Sequence, residues 1–196
     1  MPNPENHKNG KLIIFSAPSG SGKTTLLRYV MTHLPRLSFS VSATSRPPRP
    51  GEKDGLDYYF ISVEEFKQKI KENAFVEWEE VYENQFYGSL RTEVEKIRER
   101  GDSVAFDLDV KGGINIKKLY GAEALAIFVR PPSIAVLAAR LRHRSTESEE
   151  CIRQRLDRAA YELTFEKYFD KVLVNDDLEK SRKDALEVVR DFINKD

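Results

Sequence analysis

The stretch "SAPSGSGKTT" at residues 16–25, set between the apolar run "KLIIF" and the helical pattern "LLRYVMTHL", constrains this chain more than any other feature. Small residues at a strand-to-helix junction let the backbone turn tightly and bring its N–H groups close to a ligand. The following helix aims its positive dipole end at the same point. The product is an anion cradle. Lys23 adds a mobile positive charge for the outer phosphates of a nucleotide, and the Thr24 hydroxyl is placed to ligate a magnesium ion. The stretch follows the Walker A pattern Ala17-x-x-x-x-Gly22-Lys23-Thr24, with Pro18, Ser19, Gly20 and Ser21 as its variable positions and Thr25 continuing into the helix. Alanine stands first, where the strict pattern has glycine. Leu26, Leu27, Val30, Met31 and Leu34 then recur at helical spacing until Pro35 ends the segment.

A chain of 196 residues is long enough for one substantial core with a small inserted subdomain. Lysine plus arginine balance aspartate plus glutamate at 32 each, so no global field draws the protein to nucleic acid or to a membrane surface. Its ligands must be recognised locally. Cys151 is the single cysteine and cannot form an internal disulfide, and no stretch reads as a signal sequence or a membrane span. The expectation is a soluble, cytoplasmic protein. His7, His33 and His143 are scattered without ligand spacing, so a structural zinc site is not expected. Residues 1–10, "MPNPENHKNG", read as a loose tail.

Further buried-strand runs follow at "SVAFDLDV" (103–110), "ALAIFVR" (124–130) and "KVLVN" (171–175), each with helical patterning behind it. Ser133 opens one helix, Thr146 with Glu149 forms a capping box for another, and Leu178, Ala185, Leu186, Val189 and Ile193 mark the last. Alternating strands and helices predict a parallel sheet covered on both faces. Residues 38–90 break the alternation with "RPPRPGEKDG", a capping box Ser62-x-x-Glu65, and aromatic strand-like segments "LDYYFIS" and "FVEWEEVYE". They read as an inserted, mostly β subdomain suited to a second substrate.

Two places outside the loop carry chemistry. Arg46 and Arg49 stand three apart on a proline-stiffened segment, so two guanidinium forks can face one phosphate with little entropy left to lose. Asp107 and Asp109 fall on one side of the run "VAFDLD", at the strand end where parallel sheets place ligands.

"SATSRPPRPGEKDGLDYYF", "FVEWEEVYENQFYGS", "FDLDVKGG", "RPPS", "RHRSTESEE" and "VNDD", in this order behind the phosphate loop, resemble guanylate kinase, a nucleoside monophosphate kinase family, from about Lys11 to the C-terminus. The resemblance implies an α/β P-loop three-layer fold: a core at 11–37 and 91–196, a GMP-binding mixed β insertion at 38–90, and a mobile lid at about 140–158. It implies transfer of the γ-phosphate of ATP to GMP with Mg2+, held by Thr24 and, through water, Asp107. GMP falls to Ser42, Arg46, Arg49, Tyr58, Glu77, Tyr87, Ser89 in a tight "YGS" turn, Asp107 and Asp109, and Asn175 matches a position near the adenine of ATP. A carboxylate at Glu77 matches the two adjacent donors of guanine, N1–H and the amine, while adenine sets a lone pair against it. Lys23, Arg46, Asp107 and the lid arginines Arg140, Arg144 and Arg155 are the implied catalytic set, because phosphoryl transfer needs positioned reactants and surrounding positive charge. Arg142, Arg153 and Arg158 read as solvated helix charges. Ser145 stands where the family usually has glycine.

The expected partners are ATP and GMP, with dGMP a further candidate, in a monomer or homodimer without nucleic acid or membrane. Three alternatives stand beside this one. A GTPase switch is suggested by Asp109-x-x-Gly112 but lacks the guanine-reading Asn-Lys-x-Asp. A phosphopeptide-binding guanylate-kinase-like module would characteristically have a degraded ATP loop. A kinase for another nucleoside monophosphate is opposed by Glu77 and Ser42.

Overall fold

The computed structural model describes residues 10–144 and 148–195, the side chain of Arg144 excepted. In chain order the elements are β1 (Leu12–Ser16), α1 (Lys23–His33), β2 (Leu37–Phe39), β3 (Ser42–Thr44), β4 (Tyr59–Phe60), α2 (Val63–Lys71), β5 (Phe75–Tyr82) and β6 (Gln85–Leu90). They continue with α3 (Arg91–Glu99), β7 (Ser103–Leu108), α4 (Val110–Tyr120), β8 (Ala124–Arg130), α5 (Ile134–Arg144), α6 (Glu149–Leu163), β9 (Lys171–Val174) and α7 (Leu178–Asn194). A five-stranded parallel sheet has the order β2-β7-β1-β8-β9, and a four-stranded mixed sheet the order β4-β3-β6-β5. The described residues divide into two compact units, one of Leu12–Pro35 with those from Ala105 onward, the other of Arg36–Val104 with Gly10 and Lys11.

In the first of these, β1 and β8 pair in parallel from Leu12 opposite Ala124 to Ser16 opposite Phe128, and every residue of β1 is buried. Continuous apolar runs of this kind fit strands covered on both faces, where alternation would strand polar groups in the core. β9 continues the ladder from Ile127 opposite Lys171, and its exposed Val172 and Val174 mark an edge. Helix α1 packs on α7 and β1, α4 on β1 and β8, and α5 on α6. Leu137, Leu141, Ile152 and Ala159 close the α5–α6 pair.

In the second unit β3 pairs antiparallel with β6 and parallel with β4, and β6 pairs antiparallel with β5. Its core is Ala43, Phe66, Phe75 and Phe86, with Phe66 stacked on Phe75 at 4.4 Å and on Phe86 at 5.3 Å between ring centroids. Ser62 caps α2 by accepting from the Glu65 N–H, as the sequence predicts.

Several local expectations need correction. The 103–110 run ends its strand at Leu108, because the Asp109 carboxylate accepts from the Gly112 N–H and starts α4 as its N-cap. Asp107 and Asp109 therefore do not share a strand face. Ser148, accepting from the Cys151 N–H, caps α6, two residues beyond the Thr146 expected to do so; Thr146 itself lies outside the described residues. Gly10, assigned to the tail, is buried, its N–H donating to the Arg98 carbonyl and its carbonyl accepting from Arg98 Nε. Of "LDYYFIS", Tyr59–Phe60 alone is strand.

Phe66→Ala removes the ring on which both stacks rest, and large-to-small changes at such sites cost about 3–5 kcal/mol. Urea unfolding should show that loss; a change below about 1 kcal/mol would contradict a core organised around Phe66.

Candidate functional site

The phosphate loop bends through Gly20 at φ +88° and Gly22 at φ +92°, left-handed values that cost a residue with a Cβ and not glycine. A Cβ at Gly22 would also collide with Asn175 Nδ2. Gly22 is the N-cap of α1 and no side chain caps that helix, so its first N–H groups are left for a ligand. Ala17 is buried at the start of the loop, and the Ser21 N–H donates to the Pro18 carbonyl to close the turn.

Lys23 and Thr24, the first two residues of α1, converge on Asp107 near the end of β7. Lys23 Nζ lies 2.5 Å from Asp107 Oδ1 and donates to the Leu108 carbonyl at 2.7 Å, and the Thr24 hydroxyl donates to Asp107 Oδ2 at 2.6 Å. One carboxylate thus gathers the lysine and the hydroxyl that the sequence assigns to phosphate and metal. A hydroxyl beside a carboxylate is a hard-oxygen pair, which fits Mg2+, a cation that takes one or two protein oxygens and completes its shell with phosphates and water. Among the described residues no group of three or more His, Cys, Asp or Glu forms a denser metal cluster.

Asn175 follows β9 and is 4% exposed. Its side-chain amide donates to the Ser21 carbonyl at 2.7 Å, its backbone N–H to the Arg130 carbonyl at 2.8 Å, and its own carbonyl accepts from Arg140 Nη2 at 2.9 Å. Arg155 is half-buried on α6; the Arg144 side chain and Ser145 lie outside the described residues. Arg142, Arg153 and Arg158 are exposed and pair with Glu149, Glu150 and Glu162. Glu162 is itself buried, and desolvation pushes its carboxyl up from the ordinary value against the pull of Arg158.

In the other unit the registers Ser42 opposite Ser89 and Ser89 opposite Glu77 form one row across β3, β6 and β5, with Thr44, Tyr87 and Glu79 in the next row. Residues directly opposite in antiparallel strands share a face. Ser89 lies within strand β6, and not in the tight turn expected of "YGS"; its hydroxyl donates to Glu77 Oε1 at 2.8 Å. Glu77 is 7% exposed, too buried for one more solvated glutamate. Gly88 is obligatory behind it, since a Cβ would stand 2.9 Å from the Glu77 carbonyl.

Arg46 is buried against this face. Its Nε donates to the Tyr87 hydroxyl at 3.1 Å, Nη1 to the Pro47 carbonyl at 2.9 Å and to Glu52 Oε2 at 2.6 Å, and Nη2 to Glu52 Oε1 at 2.7 Å. The guanidinium stands 5.0 Å from the Tyr58 ring centre and 5.6 Å from that of Phe60. Arg49 is exposed and contributes its N–H to Glu52 Oε2 at 2.7 Å. The sequence reading missed Glu52, whose place six residues beyond Arg46 across a Pro-Gly turn is the signal that could have found it. Its bidentate bond to Arg46, then the Arg49 N–H, holds its carboxyl at about 2, and Arg46 is raised above its ordinary value mainly by the same pair.

A glycine-bent anion cradle at the end of a parallel strand, followed by a lysine and a threonine on one aspartate, defines a P-loop nucleotide-binding α/β protein. The guanylate kinase family model matches residues 9–194. The chain belongs to the guanylate kinase family. It is 55% identical to a protein named guanylate kinase from Bacteroides thetaiotaomicron, over 95% of this chain and 92% of that one, and 49% identical to one from Porphyromonas gingivalis, over 94% and 99%. Among solved structures, guanylate kinase from Anaplasma phagocytophilum superposes with a TM-score of 0.75 at 30% identity, covering 96% of this chain and 88% of that one.

A carboxylate depressed in the fold stabilises it above its unfolded value and loses that contribution as pH falls through the folded value. For Glu52 the window runs from about 4.5 down to about 2. Glu52→Gln should unfold at lower urea than the parent at pH 7, with the gap between the two narrowing as pH falls through that window. A gap independent of pH would contradict the ion pair.

Proposed function

We propose that this chain transfers the γ-phosphate of ATP to GMP, giving ADP and GDP. The observation that carries this is the convergence of Lys23 and Thr24 on Asp107 beneath an uncapped helix N-terminus, which a chain that merely bound a phosphopeptide would have no need to keep. The relationship to proteins named guanylate kinase supports the same activity. The first amides of α1 and Lys23 take the β- and γ-phosphates, since N–H groups, a helix dipole and a mobile ammonium are all aimed at developing negative charge. Thr24 and Asp107 would hold Mg2+, which would supply positive charge against the negative charge of the migrating phosphate. Lys23, paired with Asp107 and the Leu108 carbonyl, supplies the mobile ammonium.

The second substrate falls to the row of Ser42, Ser89 and Glu77. A carboxylate oriented by the Ser89 hydroxyl matches the N1–H and amine of guanine, and Ser42 can donate to the carbonyl beside them. Adenine would set an acceptor against a buried carboxylate, a mismatch costing several powers of ten in selectivity. The phosphate of GMP belongs with Arg46, Arg49, Tyr58 and Tyr87, a cluster of forks and phenols fitted to a tetrahedral anion. Arg140, Arg144 and Arg155 supply positive charge around the transferring group, and lid closure excludes the water that would otherwise take the phosphate. Asp109 is the remaining candidate for a GMP contact; its carboxylate already serves α4 as N-cap.

The four nucleoside monophosphates, each offered with ATP in a coupled ADP assay, should give rapid turnover with GMP and little with AMP, CMP or UMP. Absence of GMP-dependent ADP formation would overturn the proposal and leave a phosphate-binding module. In the same assay Lys23→Ala should lower kcat by about a hundredfold or more, the scale for loss of one preorganised electrostatic donor, with folding retained. Glu77→Gln should raise KM for GMP at least about tenfold and blunt discrimination against AMP; unchanged selectivity would place guanine recognition elsewhere.

A further inference from the structure

Asn175 is a buried amide whose contacts run to the loop and not to open space. Its Nδ2 donates to the Ser21 carbonyl across 154 residues of sequence at 2.7 Å. A trans peptide sets its C=O and N–H on opposite sides. Whatever fixes the Ser21 carbonyl therefore fixes the direction of the Gly22 N–H, which points the other way. Gly22 is the N-cap of an α1 that no side chain caps, and glycine at φ +92° has little intrinsic preference to hold that peptide in one orientation. The tether has to come from outside the loop.

The neighbouring contacts make Asn175 rigid enough to serve as one. Its N–H is bonded to the Arg130 carbonyl at 2.8 Å, in continuation of the β8–β9 ladder, so its backbone is set by the sheet. Gly22 lies so close that a Cβ there would collide with Nδ2. The Asn175 carbonyl also holds Arg140 Nη2 at 2.9 Å. One residue, placed by the sheet, thus holds a peptide of the phosphate loop with its side chain and an arginine of α5 with its backbone.

We propose that Asn175 is a positioning residue of the phosphate loop: by holding the Ser21 carbonyl it turns the Gly22 N–H into the anion cradle, acting on the phosphates of the bound nucleotide and not on its base. The proposal deepens the assignment of residues 17–25 to ATP phosphates and rests on it. Without the amide the Ser21–Gly22 peptide is free to rotate, and one donor of the cradle is lost from the bound geometry.

The test uses Asn175→Leu, which keeps side-chain size without a donor, and Asn175→Ser, which is smaller and also neutral, so that neither adds charge beside a phosphate. Each is titrated calorimetrically with ADP, with inorganic tripolyphosphate, which has no base, and with GMP. Both variants should bind ADP and tripolyphosphate about tenfold or more weakly, the scale for a missing donor to a charged group, by the same factor for each, with GMP affinity within twofold of the parent. Loss confined to ADP would mean that the amide reads adenine. Loss extending to GMP would mean a general structural role, and no loss would mean no role; each of these overturns the proposal. Lys23→Ala in the same titrations separates it from its premise. If that variant keeps full affinity for ADP and tripolyphosphate, the phosphate assignment of the loop fails; if it loses both while the Asn175 variants do not, the positioning role alone fails.

Discussion

A helix whose first turn has no side-chain cap is the condition on which this structure turns. No side chain caps the N–H groups at the start of α1, whose N-cap is Gly22, and glycine at that position costs about a few tenths of a kcal/mol relative to Ser, Thr, Asp or Asn. Ser62, Asp109, Ser148 and Asp177 cap α2, α4, α6 and α7, whereas α3, entered through Leu90, has no side-chain cap either. What sets α1 apart is that its uncapped, positively polarised end stands at a glycine-bent loop beside Lys23 and Thr24. Holding it open takes contacts from several directions: the sheet end that carries Asp107 and the Leu108 carbonyl, the Pro18–Ser21 turn, and Asn175. Residues more than eighty positions apart are needed to keep ten in shape, and that is why the loop sits on fully buried strands.

The other unit solves a different problem with the same economy of parts. Glu77 is a carboxylate placed among strands with little access to water, and burying such a group costs free energy unless it is hydrogen-bonded. Ser89, directly opposite Glu77 in the ladder, supplies a hydroxyl that donates to it. Arg46 shows the converse case. Its charge is buried against aromatic rings, and Glu52 compensates it in a bidentate pair whose geometry also closes the proline-rich turn.

Much of this was legible in the sequence where the signal is local. The phosphate loop, the apolar runs of β1, β7 and β8, and the Ser62 cap of α2 all depend on residues within a few positions of one another. What escaped the sequence depends on distant pairing. The short strand β2, three residues with a partly exposed pattern, carries no periodicity of its own and exists because a neighbouring strand pairs with it. Asp109 reads as part of the strand beside Asp107 until its carboxylate is seen to accept from the Gly112 N–H as the N-cap of α4. Ser89 looks like part of a turn because "YGS" is rich in small residues, whereas Gly88 is small because the Glu77 backbone passes within reach of any Cβ. Glu52 and the tether from Asn175 to Ser21 required contacts across a turn and across 154 residues, which no motif encodes. The resemblance carried residue roles further than pattern alone, naming Ser42, Glu77, Tyr87 and Ser89 together before any register placed three of them in one row.

The central claim is that two phosphate-bearing ligands are held by different chemistry, one by main-chain amides and the other by a guanidinium cluster. A crystal structure of the chain grown with ADP and GMP together tests it most directly. ADP phosphates should lie on the amides of residues 20–25 and, separately, guanine on Glu77, Ser89 and Ser42 with its phosphate at Arg46 and Arg49. Both nucleotides in one pocket, or guanine away from Glu77 with the β3–β6–β5 face bare, would contradict it.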